Sequence, residues 1–238
     1  MIFSEKHTVE SYLCDRSDYL QLWGAARLMQ EVAEHHTTVT HIGFHDLMSQ
    51  GKAWVLCRMY YRINQMPQVD EHIILNTWSR GTDTVFALRE YTITDEKGNV
   101  YVAASSSWAL IDFDKRKACR LSNLMDNYEH HPQFATEKQT LKRIPINKDA
   151  TRNTLATFQV QNSMLDHTNH VNNAEYVKWV IDQIPEEVVW NKIKGFEIDY
   201  ISETKAKDTV TVDQYVTEES IFQINNTNGL SALIRITY

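Results

Sequence analysis

One short polar segment, residues 165–173, holds the densest group of side chains that could do chemistry. It reads Leu-Asp-His-Thr-Asn-His-Val-Asn-Asn and places Asp166 four residues before His170. A carboxylate can attack a carbonyl or act as a general base, and a histidine can transfer a proton near neutral pH. Because an apolar periodic stretch follows, we expect the segment at a helix N-terminus, where free N–H groups stabilise a developing negative charge.

The same residues also have a structural interpretation. Asn is a favoured N-cap, and Asn172 followed by Glu175 fits a capping box, so capping is the better interpretation of Asn172 and Asn173. For Asp166 and His170, a role in shaping the loop stays open beside the catalytic one.

Composition and missing motifs exclude several functions. The 24 basic residues are outnumbered by 31 acidic ones, and the net charge of −7 argues against nucleic acid as the main partner. The chain has no GxGxxG, GxxxxGK(S/T) or GxSxG motif, which argues against nucleotide binding and against a serine α/β-hydrolase. His167 and His170 are three residues apart without an HExxH motif or paired cysteines, so we expect neither a metal nor another cofactor.

The cysteines and the N-terminus indicate the compartment. Cys14, Cys57 and Cys119 are far apart and odd in number, which fits a reducing environment better than a disulfide framework. The first residues lack the apolar core of a signal peptide, and no apolar run approaches the roughly 18 residues of a membrane span. We therefore expect a cytoplasmic protein that does not enter a membrane.

Hydrophobic periodicity predicts a long helix and then four strands in the first half of the chain. Apolar residues recur at helical spacing between Asp18 and Thr40. Asp15, Ser17 and Asp18 supply a capping-rich start to this helix. Residues rich in β-branched and aromatic side chains predict strands at 53–63, 72–79, 85–94 and 100–113.

The second half repeats this order of elements. We predict a strand at 154–161, a helix at 174–184 that Pro185 ends, and strands at 194–202, 209–216, 220–225 and 230–238. A helix followed by an antiparallel meander predicts an α+β fold, with the helix packed on one face of the sheet. The expected architecture is a tandem (double) hot-dog, with units at residues 1–125 and 151–238 and a connector at 126–150.

The segment Asp166-x-x-x-His170-Val171-Asn172-Asn173 resembles the Asp-x-Asn-x-His-Val-Asn-Asn motif of the acyl-acyl carrier protein (acyl-ACP) thioesterase family. Further pieces fall in the family's order along nearly the whole chain: residues 28–35, 54–59, 76–78, 104–108 and 120–122. The resemblance implies the double hot-dog fold and the release of free fatty acid from acyl-ACP in fatty acid biosynthesis. It also implies that the first unit holds the acyl chain and the second carries the catalytic residues.

The resemblance assigns roles to particular residues. Asp166 matches the catalytic aspartate, His170 the catalytic histidine, and Glu203 a glutamate that activates water. Thr168 stands where the family has Asn and is counted with the catalytic set, whereas Thr204 stands where plant members have Cys. An Asn side chain offers two N–H donors and Thr a single hydroxyl, so position 168 departs from the family's chemistry.

A mechanism for thioester hydrolysis follows as a hypothesis. Backbone N–H groups at the start of the second helix would polarise the carbonyl, while Asp166 attacks directly or deprotonates water. His170 would position the carbonyl or the leaving thiolate, and Glu203 would orient the water.

The acyl chain and its carrier each need a binding surface. The candidates for lining the chain site are Trp54, Met59, Trp78, Phe86 and Trp108, with ordinary core packing as the alternative for each. ACP is acidic, so a chain of net charge −7 needs a local basic patch to dock it. The densest patch is Lys115, Arg116, Lys117 and Arg120, which Arg80 and Arg89 could join, with a solvated turn as the alternative.

Two rival functions remain open beside the acyl-ACP thioesterase. One keeps the chemistry and changes the carrier to coenzyme A. The other is a non-catalytic acyl-binding protein on the same scaffold, which the Thr168 departure keeps open and the set Asp166, His170 and Glu203 argues against. A fused pair of units supplies the partner that a hot-dog needs, and a homodimer of the chain stays open.

Overall fold

The structure is a computed structural model that describes residues 1–115, 117–125, 128–147, 149–185 and 192–238. The chain divides into two compact units, Met1–Leu141 and Lys142–Tyr238. Among the described residues, the helices are too short or too polar to cross a membrane.

The first unit is built on the long helix α1 (Leu22–Val39), which is followed by the short helix α2 (Phe44–Met48). The apolar residues of α1 recur every three or four positions, so Ala25, Met29 and Val32 lie on one buried face. The predicted start of this helix is wrong in detail. Asp15 and Ser17 belong to a loop before the helix, and Gln21 occupies the N-cap position without a side-chain bond.

The sheet of the first unit is antiparallel. Its strands are β1 (Phe3–Thr8), β2 (Lys52–Ile63), β3 (His72–Asp83), β4 (Phe86–Thr94), β5 (Val100–Asp112) and the short β6 (Lys117–Ala118). They are ordered β1-β3-β4-β5-β2, with β6 added to β5, and helix α3 (Ser122–Met125) follows. The sequence located four of these strands, whereas β1 was not delimited, since it carries the adjacent charged residues Glu5 and Lys6 and buries none of its residues fully.

The two faces of this sheet carry different neighbours because side chains alternate along each strand. One face packs on α1, where His36 accepts a hydrogen bond from Arg89 of β4. The other face is covered by residues 128–141 of the predicted connector. Trp78 of β3 donates to the Gln133 carbonyl at 2.8 Å, and Arg58 of β2 donates to the Leu141 carbonyl at 2.9 Å.

The connector is anchored to that face by a fully buried carboxylate, Glu90. Its two oxygens accept from Arg80 Nε at 2.7 Å, from the Ser105 hydroxyl at 2.6 Å and from the Ala135 N–H at 3.1 Å. Burial raises the pKa of Glu90, and these donors oppose the rise. The segment therefore has fixed positions although it forms neither helix nor strand.

The second unit is a smaller version of the same plan. Its elements are β7 (Arg152–Gln159), α4 (Asn173–Ile181), β8 (Gly195–Tyr200), β9 (Thr209–Tyr215), β10 (Ser220–Asn226) and β11 (Gly229–Thr237). The antiparallel order is β8-β11-β10-β9-β7. Helix α4 buries Ala174, Val177 and Val180, and its end falls three residues before the predicted one because residues 182–184 form a turn ahead of Pro185.

Candidate active site

The polar segment forms a tight loop between a 3-10 turn (Asn162–Met164) and helix α4. The loop closes on itself, since the Asp166 N–H donates to the His170 carbonyl at 2.8 Å and the Asn169 N–H donates to the Asp166 carbonyl at 3.0 Å. Asn169 has a φ of 66°, in the left-handed region that asparagine tolerates better than most residues. Asn169 therefore serves the turn, and the loop presents Asp166, Thr168 and His170 together.

The two oxygens of the Asp166 carboxylate have different surroundings. Oδ1 accepts from the Thr168 N–H at 2.8 Å, from the Thr168 hydroxyl at 2.6 Å and from the His170 N–H at 3.3 Å. Oδ2 accepts no hydrogen bond from the residues that the structure describes. One oxygen thus fixes the loop, and the other is available to a substrate or a water molecule.

Glu203 follows β8 in the sequence and lies beside His170 of the loop. His170 Nε2 lies 3.0 Å from Glu203 Oε2, and Glu203 Oε1 lies 2.8 Å from Lys205 Nζ. The contact arises because His170 and Lys205 form an isolated antiparallel bridge, which places the chain after β8 beside the loop. The side chains of His170 and Glu203 are 41% and 54% exposed, so water reaches both.

His170 has a polar neighbour at each ring nitrogen. Nδ1 lies 3.3 Å from the Thr168 hydroxyl, which itself donates to Asp166, and Nε2 lies 3.0 Å from Glu203 Oε2. These two contacts hold the ring in one orientation, which suits a histidine that transfers protons.

The start of α4 offers one unused backbone donor. Asn172 caps the helix as predicted, since its Oδ1 accepts from the Ala174 N–H at 2.9 Å. The Asn172 N–H donates to the Met164 carbonyl, and the Glu175 N–H donates to the Asn172 carbonyl. Among the described residues, the Asn173 N–H meets no acceptor, while the Asn173 carbonyl is held by the Tyr200 hydroxyl at 3.0 Å. Asn173 is thus the candidate donor to an oxyanion.

Thr204, at the position where plant members have Cys, faces away from the loop. It is 1% exposed, and its hydroxyl lies 2.7 Å from the Ser231 hydroxyl. Its main chain serves the loop instead, because its carbonyl accepts from the Val171 N–H at 3.1 Å. The loss of a thiol at this position therefore removes no group that contacts Asp166 or His170.

The first unit contains a second copy of the loop, which the sequence did not reveal. Asp15 Oδ1 accepts from the Ser17 N–H at 2.9 Å and from the Tyr19 N–H at 3.0 Å. Asp18 has a φ of 64°, and Tyr19 forms an isolated bridge with Gln68. The two loops correspond position by position: Asp15 to Asp166, Ser17 to Thr168, Asp18 to Asn169, Tyr19 to His170 and Gln68 to Lys205.

The two copies differ at the residues that could do chemistry. Tyr19 replaces His170, and Gln68 replaces Lys205 across the same bridge. Two residues before Gln68, Met66 takes the place of Glu203. The loop backbone is therefore duplicated, whereas the histidine and the glutamate occur in the second unit alone.

The five predicted chain-lining residues divide between the two faces of the first sheet. Trp54 and Trp108 pack on the helix side, in a cluster with Ile42 and Leu110. Met59 also faces the helix, because its neighbours along β2 point to the connector. Trp54, Met59 and Trp108 share one face and could therefore line one apolar site.

Trp78 and Phe86 lie on the opposite face. Trp78 donates to the Gln133 carbonyl, and the Phe86 ring lies 5.2 Å from the guanidinium of Arg58. The five candidates therefore cannot all line one site, since the sheet separates Trp78 and Phe86 from the other three.

Fewer residues are available for carrier docking than the predicted basic patch contains. Lys117 and Arg120 are exposed, Lys115 pairs with Asp112 at 2.8 Å, and Arg116 lies outside the described residues. The inclusion of Arg80 and Arg89 is wrong. Arg80 is bound to buried Glu90, and Arg89 is 8% exposed beneath α1, so neither reaches a docking surface.

Metal binding was not expected at His167 and His170. Within the described ranges, the structure contains no group of three or more His, Cys, Asp or Glu side chains that could hold a metal ion.

Comparison with known sequences places each half of the chain in one family. Residues 1–128 match the model of the acyl-ACP thioesterase N-terminal domain, and residues 147–234 match that of the C-terminal domain. The chain is 27% identical to oleoyl-acyl carrier protein thioesterase 2 of Arabidopsis thaliana, over 95% of this chain and 67% of that protein. Identity is 25% to the oleoyl-ACP thioesterase of Coriandrum sativum, over 97% and 68%. The chain thus spans about two thirds of the length of these plant proteins.

Comparison with solved structures shows the fold. An acyl-ACP thioesterase from Bacteroides thetaiotaomicron superposes with a TM-score of 0.88 at 22% identity, covering 99% of this chain and 97% of that one. The 12:0-ACP thioesterase of Umbellularia californica gives 0.83 at 17% identity, with 99% and 96% covered. The predicted double hot-dog is confirmed. Since a family model covers each half, the chain belongs to the acyl-ACP thioesterase family, whose members hydrolyse acyl-ACP thioesters to release fatty acids.

Proposed function

We propose that this protein hydrolyses fatty acyl thioesters of ACP and releases free fatty acid in fatty acid biosynthesis. The observation that carries the proposal is the loop before α4, where Asp166 has one carboxylate oxygen that no described residue binds, beside the pair of His170 and Glu203. Membership of both halves in the acyl-ACP thioesterase family supports this reaction, and the name of the family supports ACP as the carrier.

The chemistry would start with the thioester carbonyl oxygen at the Asn173 N–H. This donor lies at the N-terminus of α4, where the helix dipole also stabilises negative charge. In one route, Asp166 Oδ2 attacks the carbonyl carbon, the C–S bond breaks to release the thiolate, and water then cleaves the resulting mixed anhydride to the free acid. In the other route, Oδ2 removes a proton from a water molecule that attacks the carbonyl carbon, and the C–S bond breaks to release the thiolate and the acid. A thiol with a pKa of about 8.5 is a good leaving group, so the step needs no strong acid.

His170 and Glu203 would complete the reaction. The protonated ring has donors on both nitrogens, so His170 can pass a proton to the leaving thiolate or hold the carbonyl. Glu203 would orient the hydrolytic water, to which it is exposed. Thr168 would act as a positioning residue, because its N–H and its hydroxyl both fix Asp166 and its oxygen faces His170.

The remaining roles fall on the first unit. We place the acyl chain on the helix-side face of the first sheet, at the apolar cluster that contains Trp54, Trp108 and Leu47 of α2, with Met59 on the same face. We place the acidic carrier at Lys117 and Arg120, whose side chains are exposed. A cytoplasmic location stays a prediction from the sequence, and association of two chains stays open.

A hydrolysis assay with acyl-ACP and acyl-CoA substrates of several chain lengths tests the proposal. Asp166→Asn keeps an oxygen at Oδ1 for the loop and removes the charged Oδ2, so turnover should fall by about 100-fold or more. Asp15→Asn is the matched control, because it makes the same change in the duplicated loop, and it should keep turnover.

Each alternative outcome identifies a rival. Faster turnover of acyl-CoA than of acyl-ACP would assign the carrier to coenzyme A. No turnover of either substrate, together with saturable binding of acyl chains, would support the non-catalytic function. Equal losses in Asp166→Asn and Asp15→Asn would mean that both changes act on folding.

A further inference from the structure

Lys205 lies beside the candidate site as a third charged group after His170 and Glu203. Its Nζ is 2.8 Å from Glu203 Oε1, while Glu203 Oε2 is 3.0 Å from His170 Nε2. One carboxylate therefore has a donor on each oxygen. We propose that Lys205 is a positioning residue that orients Glu203 toward His170, an inference that rests on the proposed function of this site.

The backbone fixes the points from which these side chains extend. His170 and Lys205 face each other in an antiparallel bridge, and the Lys205 N–H donates to Asp208 Oδ2 at 2.9 Å. The side chain of Glu203 is 54% exposed, and among the described residues its polar contacts are those with His170 and Lys205. Its two ionic contacts are what define its direction, and Lys205 supplies the one that does not depend on the protonation of His170.

The duplicated loop shows that the backbone does not need a lysine here. Gln68 forms the same bridge with Tyr19, and its N–H donates to Glu71 Oε2 at 2.8 Å, as the Lys205 N–H does to Asp208. The lysine occurs only in the copy that has His170 and Glu203. This co-occurrence points to a role in chemistry, since folding of the loop is achieved without it.

The size of the effect follows from exposure. Lys205 is 58% exposed, so its ion pair with Glu203 is screened by water and weak as a contribution to stability. Removal of the Lys205 charge should therefore act on the reaction through Glu203 and leave the stability of the unit little changed.

Steady-state kinetics of Lys205→Met, Lys205→Arg and the control Lys207→Met test the proposal. Lys207 is an exposed neighbour, so the control removes the same charge near the site. We expect Lys205→Met to lower kcat by about threefold to tenfold with little change in KM, and Lys205→Arg to restore most of it. Lys207→Met should match the wild type.

The double variant separates positioning from other roles. If Lys205 acts through Glu203, then Lys205→Met should have no further effect on kcat in a Glu203→Gln background. The same loss in both backgrounds would overturn the proposal. So would a rise in KM at constant kcat, which would mean that Lys205 contacts the carrier or the substrate.

A measurement on the resting protein keeps this inference distinct from the proposed function. The imidazole signals of His170, assigned by their loss in His170→Gln, can be recorded by NMR at one pH without any substrate. We expect their chemical shifts in Lys205→Met to move toward those of Glu203→Gln, because Glu203 then no longer faces the ring, while Lys205→Arg and Lys207→Met keep the wild-type shifts. Wild-type shifts in Lys205→Met would overturn the inference even in an active enzyme, and absence of turnover in the wild type would count against the proposed function alone.

Discussion

Acid should destabilise the first unit through His36, a histidine of α1 that is 3% exposed. Its Nδ1 accepts from Arg89 Nη1 at 3.0 Å, its Nε2 lies 3.4 Å from the Tyr128 hydroxyl, and Phe3 stacks on the ring at 5.2 Å. A proton on Nδ1 would break the bond to Arg89 and place two cations together. Burial first, and then the Arg89 charge, lower the pKa of His36 from 6.5 to about 4.

The sign and the size of the effect follow from this shift. The unfolded chain binds this proton below about pH 6.5, whereas the folded chain binds it only near pH 4. The free energy of unfolding therefore keeps its full value above pH 6.5 and decreases as the pH falls from about 6.5 to about 4. Between about pH 7 and about pH 4.5, the loss from His36 alone is about 2 kcal/mol. The other charges near the ring are Glu129, which opposes the shift, and the N-terminus, which adds to it.

Urea unfolding at both pH values measures this loss. His36→Gln removes the titration, so the difference in unfolding free energy between the two pH values should shrink by about 2 kcal/mol relative to wild type. His35→Gln is the control, because His35 is 46% exposed and pairs with Glu5 and Glu31, and it should retain the wild-type difference. An unchanged pH dependence in His36→Gln would refute the reasoning.

Three further predictions address the helix cap, the carrier and the acyl chain. Asn172→Ala removes the acceptor of the Ala174 N–H and should cost about 1 kcal/mol in urea unfolding. Lys117→Glu combined with Arg120→Glu should raise KM for acyl-ACP at low salt and little at high salt; equal KM values at both would reject docking there. Trp108→Ala should shift the preferred acyl chain toward greater length, whereas Phe86→Ala, on the other face, should leave the preference unchanged.

Local patterns predicted most of the fold because its elements obey simple periodicities. The α1 stripe and the β-branched strands gave boundaries close to those observed, whereas β1 escaped because its alternating residues are half exposed. The burial of Arg80 and Arg89 was missed because a charged residue was taken as exposed. Both stand inside strand runs, where alternation sends them onto one or the other covered face.

The site could be predicted only in part. Asp166 and His170 share a short segment, so the sequence alone brought them together. Glu203 entered through the family resemblance, and the structure places it against His170. Backbone donors at the start of the second helix were predicted, but the Asn173 N–H was not singled out, because that depends on which donors the cap leaves unused. Lys205 was missed, because its role depends on an isolated bridge. Neither the bridge nor the unused backbone donor can be recognised from residue type or spacing.

The duplicated loop changes what an aspartate at this position signifies. Asp15 and Asp166 both use Oδ1 to hold two N–H groups of the following turn, so the first task of this residue is to shape the loop. The proposed reaction also uses His170 and Glu203, a pair that the described part of the chain has beside the second loop and not beside the first. Asp→Asn substitution preserves Oδ1 in both loops, and the two variants therefore differ in what Oδ2 does. A much lower turnover in Asp166→Asn than in Asp15→Asn would assign the chemistry to the second unit, because both substitutions preserve the shape of the loop.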